Sequence, residues 1–123
     1  MNKGFENLMA EKILEKEDNS ISLVFTIPET SPYFDGHFPD YPVLPAVAQA
    51  DIVINFADRY FNTGVALSKI KRMKFNKIIS PSLTLLLKIE IKNDTLSFKI
   101  NSEDESENYS GGTLILASHE EKI

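Results

Sequence analysis

The sequence contains no cysteine. That excludes disulfides, thiolate metal sites and a cysteine nucleophile in one step, and it suits a reducing compartment. No apolar run is long enough to span a bilayer. Residues 1–16 alternate charges and lack the apolar centre of a signal peptide, so we expect a cytoplasmic protein with no membrane span. An excess of positive charge is also missing: the formal net charge is -5, which argues against nucleic acid as a partner. There is no internal repeat and no low-complexity segment. Histidine is scarce, at two residues, His37 and His119. What is present is ordinary for a folded soluble chain, with 42% hydrophobic and 25% charged residues over 123 positions. That length suits one domain, expected to cover residues 1–123.

The hydrophobic pattern gives an element order. Residues 5–16 have the spacing of a short amphipathic helix running into a strand. Ile21, Leu23, Phe25 and Ile27 alternate with more polar positions, which predicts a strand ended by Pro28. Residues 31–45 carry too many prolines for a helix interior or a central strand, so they form a long, stiff loop. Pro45 suits the first turn of a helix, where a missing N–H costs nothing. The spacing predicts that helix from Ala46 to about Phe61, apolar around most of its circumference and ended at Asn62, Thr63 and Gly64. Strands follow over about 65–79, 83–92, 96–100 and 109–118. A tight turn is expected at Asn93-Asp94 and a bulge at Gly111-Gly112. One buried helix among about five strands predicts an α+β protein, with an antiparallel sheet curved around the helix. One helix cannot close every sheet edge, which favours a dimer that continues the sheet.

The candidate chemistry concentrates in the proline loop and the first turns of the helix. His37 stands on the loop, and Asp51 is the single acid in the apolar stretch that opens the helix. Asp51 also lies at helical spacing from Asn55, Asp58 and Asn62, so a plain solvated stripe is the competing reading. Ala50, Ile52 and Val47 surround it with apolar side chains and favour a buried acid. Gln49 lies off that stripe, either lining a site or facing a dimer contact. Phe34, Phe38 and Tyr41 read first as packing residues for the loop. Lys69, Lys71, Arg72, Lys74 and Lys77 place five cations in nine residues with no acid among them. Strand periodicity puts Lys69, Lys71 and, if the strand runs that far, Lys77 on one face and Arg72 and Lys74 on the other unless a bulge intervenes.

The run Gly36-His37-Phe38-Pro39-Asp40-Tyr41-Pro42-Val43-Leu44-Pro45 resembles the Gly-His-Phe-Pro-x-x-Pro-x-x-Pro-Gly signature of the β-hydroxyacyl-ACP dehydratases of fatty-acid synthesis. The segment Val43 to Asp51, with Gln-x-Asp after the proline, is similar to stand-alone dehydratases of aryl-polyene and related acyl-lipid clusters. Lys74-Phe75, followed by Ile79 and Pro81, resembles the family's strand and turn after the helix. The resemblance covers roughly residues 20–117, and its specific part is 34–51. It implies the hotdog fold, a curved antiparallel sheet wrapped around one long helix.

The implied reaction is loss of water from a 3-hydroxyacyl thioester to give the trans-2-enoyl thioester, with no metal or organic cofactor. His37 would be the base and Asp51 the acid, since the family's acid lies fourteen positions after the histidine. The N–H groups of Ala46 and Val47, at the helix N-terminus, would hold the thioester oxygen. Gly36, Phe38 and Gln49 would line the substrate. The family has glycine where this chain has Ala46. An N–H does not need glycine, so this departure bears on substrate shape more than on chemistry. The implied partners are an acyl carrier protein bearing a phosphopantetheine-linked chain, or acyl-CoA, and a homodimer or assembly of dimers whose sites are shared between subunits. The basic run at 69–77 is the candidate docking patch for the acidic carrier. Two alternatives share this fold: a thioesterase in which Asp51 activates water, and a non-catalytic thioester-binding subunit. Loss of activity in His37→Ala separates a dehydratase from a thioesterase.

Overall fold

The structure is a computed structural model that describes residues 3–34 and 44–117. A single turn of helix, α1 (Lys3–Glu6), leads into β1 (Met9–Lys16) and β2 (Ser20–Thr26). A short 3-10 turn at Pro32–Phe34 precedes the helix α2 (Ala46–Phe61). Then come β3 (Leu67–Phe75), β4 (Thr84–Lys92), β5 (Thr95–Ser102) and β6 (Asn108–Leu116). The amphipathic spacing over 5–16 therefore belongs mostly to a strand. Ala10 has a left-handed φ of 55°, and the β1–β2 register shifts beside it, so local irregularity mimics a helical period.

The six strands form one antiparallel sheet in the order β1-β2-β4-β5-β6-β3. Strand β2 pairs with β4 across the intervening α2 and β3, so the chain crosses the sheet and lays β3 on the far edge. Alternation puts Leu23, Phe25, Leu87, Ile89, Phe98 and Ile100 on one face, all buried. Against them α2 packs Ile52, Val53, Phe56 and Ala57, also buried. The Phe56 ring meets Phe5 edge-on at 4.7 Å and Phe25 at 5.1 Å between centroids. Such pairs add to area burial.

The ends of α2 follow local rules. Pro45 is extended, at φ -73° and ψ 162°, and its carbonyl accepts the first helical bond from the Gln49 N–H. Asn62 stops the helix in the left-handed region, where asparagine is tolerated. Asn93 does the same in the β4–β5 turn, with φ 58°.

Two features of the sheet differ from the pattern in the sequence. Gly111 and Gly112 pair regularly with Lys99 and Phe98, and the β6 bulge sits at Tyr109 instead. The glycine is needed for close approach. A Cβ on Gly112 would lie 2.4 Å from the Arg72 carbonyl oxygen. In β3 the register slips between Ile70 and Arg72, so Lys71 is an extra residue. Lys69, Arg72 and Lys74 then oppose Ile115, Thr113 and Gly111 and share the face turned away from α2.

Candidate active site

The N-terminus of α2 is pinned beside the chain that leaves β3, because the Leu44 N–H donates to the Ile79 carbonyl at 2.9 Å. Between them runs a groove of about 300 Å³ lined by Leu44, Ala46, Gln49, Phe75, Asn76, Lys77 and Ile78. Ala46 and Val47 open the helix on its exposed side, with Val47 77% exposed. The N–H groups of a first turn have no acceptor within the helix, and the helix dipole is positive there. This end of α2 can therefore take an oxyanion.

Gln49 faces inward and is 3% exposed. Its Nε2 donates to the Leu44 carbonyl at 3.2 Å, while its Oε1 is buried with no partner among the described residues. A buried acceptor left unpaired is costly unless a ligand or another subunit supplies a donor. Gln49 thus lines the groove at the head of α2.

Asp51 lies on the second turn of α2 and is half-buried, not sunk in the core. Val47 precedes it by one helical turn on the same face and is exposed, so this apolar neighbour does not seal it. Nor does Asp51 stand on a plain solvated stripe. The phenolic O–H of Tyr33 donates to its Oδ2 at 2.6 Å. Asn55 Nδ2 donates to the Asp51 carbonyl at 2.8 Å, and Asp58 Oδ1 accepts the Gly64 N–H at 2.8 Å. Each polar side chain of this stripe up to Asp58 therefore takes part in a hydrogen bond.

His37, Gly36 and Phe38 lie outside the described residues, as does Tyr41. Phe34 is buried in the core, which agrees with a packing role. Of the basic run, Lys77 flanks the groove at the head of α2 and pairs with Glu107. Arg72 and Lys74 line a broad groove of about 790 Å³ on the opposite face, together with Lys88 and Lys99. The sequence reading assigned no role to Tyr33. A tyrosine four residues before the histidine carried no signal until the fold brought it to Asp51.

A curled antiparallel sheet around one central helix is the hotdog fold, shared by enzymes that act on acyl thioesters. The family model described as ApeI dehydratase, ApeI-like, matches residues 13–113. This chain belongs to the ApeI-like dehydratase family. In structure it is similar to the dehydratase heterocomplex ApeI:P from Xenorhabdus doucetiae. The TM-score is 0.75 and the identity 29%, with 89% of this chain and 99% of that one covered.

In sequence the chain is 31% identical over 101 residues to the 3-hydroxyacyl-acyl-carrier-protein dehydratase FabZ of Wolbachia sp. subsp. Brugia malayi, covering 73% of this chain and 69% of the relative. It is 32% identical over 88 residues to FabZ of Streptococcus mutans serotype c, covering 65% and 62%. The chain thus spans about two thirds of the length of these curated relatives. Its reaction class is dehydration of a 3-hydroxyacyl thioester, as in fatty-acid or polyene biosynthesis.

Proposed function

We propose that this dehydratase acts on acyl chains carried by acyl carrier protein, with His37 and Asp51 as its catalytic pair. His37 takes the C2 proton, the C2–C3 double bond forms as the C3–O bond breaks, and Asp51 orients the hydroxyl and protonates it as it leaves as water. The N–H groups of Ala46 and Val47 hold the charge that develops on the thioester oxygen. One such donor is typically worth roughly 2.7–4 kcal/mol in the transition state. The observation that carries this reading is the placing of Asp51. It is held at a half-buried position one turn inside the helix end that can bind an oxyanion, and it is hydrogen-bonded to the chain leading into the histidine.

The carrier assignment draws on the curated relatives, which are named as acyl-carrier-protein dehydratases. Within the basic run, Lys77 is the docking residue nearest the groove, and Lys69, Arg72 and Lys74 form a second strip on the outer face. Gln49 offers its unpaired Oε1 to a donor on the substrate.

The edge strand β3 supports a two-subunit assembly. This strand ends the sheet, paired only to β6 among the described strands, and its neighbourhood exposes Leu67, Ile70, Phe75 and Ile78 as well as Val47. A paired copy along this edge would bury them and bring two helix ends together. The solved Xenorhabdus relative is itself a heterocomplex, which supports an assembled active form.

The test is an assay of enoyl-thioester formation from 3-hydroxyacyl chains on carrier protein and on coenzyme A. His37→Ala and Asp51→Asn are each expected to lower kcat by about 100-fold or more, with the fold intact by circular dichroism. Activity within about tenfold of the parent in either variant would overturn the role given to that residue.

A further inference from the structure

We propose that Tyr33 is a positioning residue for the dehydration, holding the Asp51 carboxyl in its working orientation. The inference rests on the catalytic reading of Asp51 given above. A carboxyl group on a helix turns freely about its last bond unless something holds it, and proton transfer needs a defined oxygen at a defined place. The Tyr33 hydroxyl supplies that hold by donating to Oδ2 at 2.6 Å, well within the range of O–H···O hydrogen bonds.

Tyr33 is itself held from three directions. Its backbone belongs to the 3-10 turn Pro32–Phe34, closed by the Phe34 N–H donating to the Ser31 carbonyl at 3.1 Å and the Tyr33 N–H to Ser31 Oγ at 3.2 Å. Ser31, which precedes the turn, and Phe34, which ends it, are buried. The ring lies close against the backbone of α1 at Gly4, where an added Cβ would sit 2.8 Å from ring atoms Cε2 and Cζ. The hydroxyl therefore has a fixed place from which to aim at Asp51. The backbone of Asp51 is tied as well, through Asn55. Support of this kind behind a reacting group is what makes a site productive.

The connection has a second consequence. Tyr33 is four residues before His37 in the same loop. The hydrogen bond therefore ties the helix that carries the acid to the turn that precedes the base in the chain.

Tyr33→Phe removes one oxygen and keeps the ring against Gly4. It is compared with Asp51→Asn in steady-state kinetics on one 3-hydroxyacyl-carrier substrate, with melting temperatures for each. The expected result for Tyr33→Phe is a kcat about tenfold lower, with KM within about twofold and the melting temperature nearly unchanged. Tyr33→Phe at parental kcat beside a disabled Asp51→Asn would overturn the positioning role alone. An active Asp51→Asn would overturn the catalytic reading beneath it. A loss carried wholly in KM, or matched by a fall in melting temperature, would make Tyr33 a binding or packing residue and overturn the proposal.

Discussion

Gly112 shows how one atom decides a strand pair. It faces Phe98 on the inner side of β6, and the Arg72 carbonyl of β3 occupies the space a side chain would need. Gly112→Ala forces β3 outward. Expected is a loss of about 1–3 kcal/mol in urea unfolding, with Gly111→Ala milder because its nearest atom would be 3.1 Å away. In the sequence the two glycines read together as a bulge. Absence of a Cβ serves both loose and crowded backbones, and only the neighbours tell them apart. Asp104 makes a similar point about charge. In the turn between β5 and β6 its carboxylate accepts bonds from the Ser106 hydroxyl, the Ser106 N–H and the Ser102 hydroxyl, which hold its pKa at about 2 against an ordinary 3.8. A depressed carboxylate favours the folded turn above pH 3.8 and loses that effect as the pH falls towards 2. NMR titration of Asp104 is expected to show a midpoint near 2, moving up in Ser106→Ala because the first of these donors is lost.

Among the elements, α2 was the most legible. Proline at its start, an apolar circumference and an asparagine stop are all local signals, and the helix runs from Ala46 to Phe61 as they indicate. Its core anchor is Phe56, wholly buried against Phe5 and Phe25. Phe56→Ala is expected to cost about 3–5 kcal/mol, read from chemical unfolding. Of the four-residue α1 only the order, a short helix running into a strand, was legible and not its bounds, since one helical turn is too short to show a period. Its role is nonetheless specific, because it backs the Tyr33 ring. Gly4→Ala displaces that ring and is expected to lower kcat in the same direction as Tyr33→Phe, with far-UV circular dichroism unchanged. A Gly4→Ala enzyme with parental kcat would show that the ring adjusts without disturbing Asp51. The β3 bulge was legible only as a condition. Period two separates Lys71 from Arg72, and only the pairing with β6 shows that Lys69, Arg72 and Lys74 face the same way.

For the whole molecule, the edge at β3 is where assembly is expected. Ile70 and Phe75 of β3 are 50% and 46% exposed. Ile70→Lys combined with Phe75→Lys is expected to yield a monomer by light scattering, and an inactive one if each site draws on two subunits. Full activity in a verified monomer would remove that sharing. By itself the sequence determined the fold class, the long helix, the reaction class and the spacing between His37 and Asp51. These are carried by local periodicity, by proline and asparagine at element ends, and by a motif contiguous in the chain. The tertiary structure alone decided which face the cations share, why glycine stands at 112, and that Tyr33 reaches Asp51 across 18 residues. Those depend on strand register and on packing between distant segments. A one-residue slip reverses a strand's faces, and a hydrogen bond of 2.6 Å leaves no trace in residue order.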